Sequence, residues 1–180
     1  MKKQDPRIPF NESYYSARSD NGEWYTPSPI IESVRMALDG TIDLAPFSCD
    51  VAQATVKATQ YFTRERSALT RSWPSGRTLF ANPPYARTLI GQCIHRVVME
   101  YRYSWNEGIV LVNNATDTTW FQQIAEISAS MCIFKRRIQF DHPQDVTVDR
   151  NTRGQIALYI GGNRQRFRSA FADLGIICDF

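Results

Sequence analysis

The chain of 180 residues is 43% hydrophobic, 12% aromatic and 22% charged, a globular mix that excludes disordered, collagen-like and fibrous classes. That length holds one domain but leaves no room for a catalytic domain joined to a large recognition domain, and the net charge of +3 suits a nucleic-acid partner without requiring one. Cys49, Cys93, Cys132 and Cys178 stand far apart with no CxxC pair, so neither a zinc site nor a disulfide framework is signalled, and reduced, mostly buried thiols are expected.

Residues 1–23 are polar, carry Pro6, Pro9 and Gly22, and show no sustained period; they read as an irregular arm, with Tyr14, Tyr15 and Arg18 open to a ligand or simply part of a tail. The arm has no apolar signal core, and no later stretch approaches the roughly 20 apolar residues of a membrane span. A cytoplasmic protein without a membrane partner is therefore expected. Residues 24–180 are read as a single domain.

Within it, Thr26-Pro27-Ser28-Pro29 opens a helix carrying Ile30, Ile31, Val34 and Leu38 at helical spacing, and Gly40 closes it. Residues 41–44 form a short strand turning at Pro46, and residues 51–58 are helix-compatible. A buried strand over 77–81 runs into Asn82-Pro83-Pro84-Tyr85, and a helix over 88–102 follows with Leu89, Cys93, Val97 and Tyr101 on one face. Gly108-Ile109-Val110-Leu111-Val112 is the unbroken apolar run that a central, two-sided strand needs. Residues 119–130 read as a helix, and 130–134, 155–160 and 175–178 as strands. This alternation predicts an α/β, doubly wound domain with a mostly parallel sheet flanked by helices, and ligands bind such sheets at the carboxyl ends of the strands.

Asn82-Pro83-Pro84-Tyr85 sits at such an end. An exocyclic amine on a nucleobase is a poor nucleophile, because its lone pair is delocalised into the ring. Fixed acceptors that draw its two N–H bonds out of plane make it reactive. The Asn82 side-chain oxygen and the Pro83 carbonyl are suited to that task, Pro83 and Pro84 stiffen the backbone, and Tyr85 offers a face on which a base stacks. His95 and His142 are isolated and read as structural, and no metal site is predicted.

Several segments in order resemble the phage-type DNA N-6-adenine methyltransferases: Glu23-Trp24-Tyr25-Thr26-Pro27; Ile42-Asp43-Leu44 with Pro46 and Ser48; Tyr61-Phe62-Thr63; Gly76-Arg77; Asn82-Pro83-Pro84-Tyr85; and Asn113-Asn114-Ala115-Thr116-Asp117-Thr118-Thr119-Trp120-Phe121. The resemblance implies a Rossmann-like class I fold, the cofactor S-adenosyl-L-methionine (AdoMet), and direct methyl transfer to N6 of an adenine flipped out of DNA. If the gene is phage-borne, the compartment is the host cytoplasm.

The resemblance places Tyr25, Thr26 and Pro27 near the methionine end of AdoMet, although Thr26 and Pro27 equally suit a helix start. It makes Asp43, Ala45, Pro46 and Ser48, with Asn82, the cofactor loop. There the chain departs from the family's D-L-D-P-A-S, since Ala45 stands where an acid is usual and Gln53 where Asn is. Asp43 or Asp50 is left to compensate, or AdoMet binds weakly. Asn114, Thr116 and Thr118 are candidates to shape the base pocket or touch DNA, Asp117 or Thr118 equally to cap the next helix, and Phe121 to lie in the core. Arg136 and Arg137, beside Lys135 and followed by Arg150, Arg153, Arg164, Arg166 and Arg168, suit phosphate contacts. Competing readings are a DNA-binding homologue with weakened or lost catalysis, and an NPPY methyltransferase acting on RNA or on protein glutamine. The oligomeric state is not legible.

Overall fold

In the computed structural model, which describes residues 25–76, 78–86, 89–141 and 151–180, helix α1 (Ser28–Ala37) starts at Pro27 and buries Ile30, Ile31, Val34 and Ala37. It ends as the glycine predicted: Gly40 has φ +91 and donates its N–H to the Arg35 carbonyl at 2.8 Å, a left-handed closure that costs glycine little. The chain continues through β1 (Leu44–Ala45), α2 (Asp50–Val56), β2 (Gln60–Tyr61), β3 (Thr78–Ala81), α3 (Leu89–Ser104) and β4 (Glu107–Asn113). It closes with α4 (Thr119–Ala125), β5 (Ser130–Phe134), β6 (Gln155–Ile160), α5 (Arg164–Phe171) and β7 (Gly175–Asp179). β2 and α5 are absent from the sequence reading, and α4 stops earlier than residue 130 because Ala129 leaves it to donate to the Tyr159 carbonyl at 2.7 Å.

All strands join one sheet in the order β2-β1-β3-β4-β6-β5-β7. Pairing is parallel from β2 through β4 and antiparallel from β4 through β6 and β5 to β7. The expectation of a mostly parallel sheet therefore holds for one half only. A parallel neighbour needs a long crossover, usually a helix; none is present between β5 and β6 among the described residues, and β6 inserts antiparallel between β4 and β5.

Strand side chains alternate between two cores. Phe80, Ile109, Leu111, Ala157 and Tyr159 meet α1 and α5 on one face; Leu79, Ala81, Val110, Val112, Ile156, Leu158 and Ile160 meet α3 and α4 on the other. Each fully buried aliphatic contributes about 1.5–3 kcal/mol relative to exposure, so β4 and β6, buried along both faces, fix the register of the whole sheet. The loop after β2 is pinned to α3 by Arg96, which is buried, pairs with Glu100 at 2.6 Å, donates to the Arg71 carbonyl at 2.9 Å and lies over the Trp73 ring.

The predicted arm with Tyr14, Tyr15 and Arg18 lies outside the described residues, as do His142 and Arg150. All four cysteines are free, Cys93 and Cys132 buried. Among the described residues no helix is long and apolar enough to cross a membrane, and no cluster of His, Cys, Asp and Glu suited to a metal occurs.

Candidate active site

The strands β2, β1, β3 and β4 all point their carboxyl ends to one edge. β5 ends there too, since β6 opposes both it and β4. At this edge Ala81 hands over to Asn82-Pro83-Pro84-Tyr85, where the two prolines cannot donate to a ladder and so turn the chain out of the sheet.

The Asn82 amide is held from one side only. Its Nδ2 donates to Thr26 Oγ1 at 3.2 Å, while its Oδ1 is buried and has no hydrogen-bond partner among the described residues. A buried acceptor left unpaired costs about 1–3 kcal/mol, and native folds seldom carry that cost without a use. Thr26 itself is buried and is not the helix cap; that position is Pro27, whose carbonyl accepts from Ile30 and Ile31 without any side-chain cap. Of the two sequence readings of Thr26, its hydroxyl serves Asn82. Tyr25 joins Asp141 in an isolated antiparallel bridge, which fixes the segment leading into Thr26.

Pro83 is buried, Pro84 half-buried. Tyr85 is half-buried against the α3 side of the sheet, with its hydroxyl 3.1 Å from the Leu111 carbonyl and 3.5 Å from Gln155 Oε1. Burial raises the phenol above its ordinary range, so it acts here as a neutral donor. Gln155 Nε2 in turn donates to Asn113 Oδ1 at 2.6 Å. Gln155 and Asn113, paired across β4 and β6, tether the tip of the Tyr85 ring. Gln155 belongs to no sequence motif. Its signal was a lone polar residue heading an otherwise apolar strand.

The β1 turn lies at the same edge. Ala45 is buried and joins the α1-side core, so an acid at this position would lie buried beneath the loop. Pro46 is buried. Ser48 donates its backbone N–H to the Phe62 carbonyl at 3.1 Å and accepts from Gln53 Nε2 at 2.7 Å, and Gln53 Oε1 accepts from Ala58 N–H at 2.8 Å. Gln53 thus ties both ends of α2 to the turn. Asp43 sits apart from this group: it precedes β1, and its carboxylate accepts from the Thr78 N–H at 3.0 Å where β3 begins, at the opposite edge. Asp50, exposed in the first turn of α2, takes the Tyr61 hydroxyl at 2.8 Å. It is an acid beside the carboxyl ends of β1 and β2.

After β4, Asn114 and Thr116 are exposed, with the Asn114 N–H on the Gly154 carbonyl at 2.9 Å. Thr118 caps α4: its hydroxyl oxygen takes the Phe121 N–H at 3.4 Å and its proton goes to the Ala115 carbonyl at 2.7 Å. Phe121 is buried, as expected. Arg136 and Arg137 are exposed just past β5. Arg166 and Arg168, read as phosphate contacts, are instead engaged within the fold, Arg166 with Glu107 at 2.7 Å and Arg168 with Asp179.

A family described as DNA N-6-adenine-methyltransferase (Dam) matches residues 15–172 of the chain. No curated protein matches it.

Proposed function

The chain belongs to the DNA N-6-adenine-methyltransferase (Dam) family, and on that premise we propose that it transfers a methyl group from AdoMet to N6 of an adenine flipped out of DNA, within a class I Rossmann-like domain spanning residues 24–180. The strand order, with an antiparallel strand set between β4 and β5, supports the fold assignment. The observation that carries the reaction is the buried, unpartnered Asn82 Oδ1 at the carboxyl edge of β3.

The residues present fit AdoMet. An orphaned amide oxygen lies beside a threonine hydroxyl, and the Ser48 hydroxyl accepts from Gln53 and has no acceptor for its own proton among the described residues. Tyr25, Thr26 and Pro27, the Ala45–Pro46–Ser48 turn and Asn82 would hold it, with Asp50 rather than Asp43 supplying the charge that Ala45 lacks. When bound, AdoMet supplies a methyl group activated by its sulfonium.

The protein's own part is to prepare the amine. Asn82 Oδ1 accepts one N6–H and the Pro83 carbonyl the other, bending the nitrogen toward tetrahedral geometry and localising its lone pair. Tyr85, anchored at its hydroxyl, stacks on the extruded ring. Asn114 and Thr116, exposed after β4, are placed to touch the target DNA.

The test is transfer of labelled methyl from AdoMet to DNA lacking N6-methyladenine, with the product digested to nucleosides. Label in N6-methyl-2′-deoxyadenosine supports the reading. Label only in RNA or in protein glutamine, or a folded protein that binds AdoMet but modifies no DNA, overturns it.

Thr26→Val keeps the shape of the side chain but releases the Asn82 amide from its anchor. It is expected to lower kcat about tenfold, as for loss of one orienting hydrogen bond of about 1.4 kcal/mol, and Thr26→Ser is expected to restore the rate. Equal rates for Val and native protein would remove Thr26 from the site.

A further inference from the structure

A cavity of about 430 Å³ opens between the start of α1, the end of β5 and the α5–β7 turn, lined by Ile30, Phe134, Ile138 and Leu174 with Lys135, Arg136, Arg137 and Asp173 around them. We propose that this cavity takes one nucleotide of the target DNA strand next to the adenine being modified, its phosphate held by Arg136 and Arg137. The inference rests on the reading of the chain as a DNA methyltransferase and adds where the strand is gripped.

Three observations point there. The first is charge. Lys135 is committed, its ammonium on the Asp173 carbonyl at 3.3 Å, but Arg136 and Arg137 are exposed and make no hydrogen bond or ion pair among the described residues. Two adjacent free guanidinium forks match a phosphate's oxygens as a single ammonium does not.

The second is the floor. Ile30, Phe134, Ile138 and Leu174 give an apolar bed of which Phe134 supplies an aromatic face, and an unstacked base or sugar needs such a surface beside its charged phosphate. The volume falls within the range of small-ligand sites.

The third is continuity with the catalytic edge. Ile30 lies four residues after Thr26, which holds Asn82, so the chain reaches from one to the other within about 14 Å even if fully extended. The other wall runs on from Arg136 to Asp141, whose backbone bridges Tyr25 through two hydrogen bonds of 2.9 Å. Both walls of the cavity therefore end at the residues that position Asn82. A strand whose adenine sits on Asn82 lays its neighbouring nucleotide across this opening.

The experiment compares the native chain with Arg136→Gln/Arg137→Gln and with Lys57→Gln/Arg102→Gln, which removes the same charge from exposed positions at the opposite edge of the sheet. Binding of a short fluorescent duplex is measured over a salt series, and kcat and KM are measured on unmethylated plasmid DNA. Since neither arginine has a partner among the described residues, the double variant should melt with the native protein. It is expected to bind about tenfold to a hundredfold more weakly, with the slope of log affinity against log salt shallower by about two, KM for DNA raised in step and kcat within about twofold. AdoMet affinity stays unchanged. Equal losses in the two double variants would mean that only overall charge matters and would overturn the site, as would an unchanged slope and KM. A native protein that methylates DNA while the arginine variant matches it discards this inference and keeps the reading beneath it; a native protein that holds no DNA discards both.

Discussion

Asn82→Ala is expected to reduce methyl transfer by about a hundredfold to a thousandfold, the loss seen when one preorganised acceptor or donor for the transition state is removed, while the folded protein stays at least as stable as the native one. The two halves of that expectation come from the same atom. In the free protein the Asn82 Oδ1 is buried with no partner among the described residues, so truncating it relieves a desolvation cost of about 1–3 kcal/mol and gives up only the Nδ2 bond to Thr26, worth about 1 kcal/mol. A structural asparagine behaves in the opposite sense, with stability falling and rate changing only as folded protein is lost. Measuring kcat on DNA, AdoMet affinity by calorimetry and the urea midpoint on one preparation separates the cases. Loss of stability with retained kcat would place Asn82 in the scaffold and leave the family assignment without its catalytic residue.

Asn82→Asp sharpens the test, because it keeps an acceptor at this position but replaces the donor to Thr26 Oγ1 with a second oxygen. The threonine hydroxyl can turn its own proton to that oxygen, so geometry survives, yet a carboxylate is now desolvated in the loop. Partial activity is expected, rising with pH as the carboxylate ionises. Activity equal to alanine's would mean that the orientation of the amide matters more than the acceptor alone.

The sequence made the centre of the sheet legible because a strand buried on both faces can only be written as an unbroken apolar run, and Ile109–Val112 and Ile156–Ile160 are such runs. β2 was not legible. It is two residues long, Gln60 exposed and Tyr61 half-buried, and is held by parallel pairing with β1 rather than by its own side chains. The antiparallel half of the sheet was hidden for another reason: strand direction depends on the path between strands, and no local period encodes it. At the site, NPPY was visible as a rigid turn after a strand, but the partner of Asn82 lies 56 residues earlier. Thr26 was read as cofactor segment or helix start because both are local explanations. Ala45 presents the converse case, a visible departure whose consequence depended on place: Asp50 lies just past the β1 turn, while Asp43 is spent on Thr78.

α5 is where a charge pattern misled and where the largest stability effect is expected. Arg164, Arg166 and Arg168 read as a basic run, yet Asn163 caps the helix by accepting the Arg166 N–H at 3.0 Å, and Phe167 and Phe171 stand four apart on its inner face, which is the signal that was available. Phe167 is fully buried, stacked on Tyr159 with centroids 5.0 Å apart and on Phe171 at 4.6 Å. Phe167→Ala removes that layer and leaves a cavity between sheet and helix, for a loss of about 3–5 kcal/mol, a large share of the roughly 5–15 kcal/mol that holds a domain together. Phe167→Leu, close in volume, should lose less than about 1.5 kcal/mol. Urea unfolding followed by far-UV circular dichroism checks both. The effect should also reach the active site. α5 packs on α1, Arg166 donates to the Ala37 carbonyl at 2.7 Å and pairs with Asp39 at 3.3 Å, and α1 carries Thr26 at its head. Loosening α5 therefore loosens the anchor of Asn82, and at temperatures where the variant remains folded its kcat should fall together with that of Thr26→Val. Full kcat in a folded but destabilised Phe167→Ala protein would show that the Thr26–Asn82 contact is held locally by the Tyr25–Asp141 bridge rather than by the helix layer behind it.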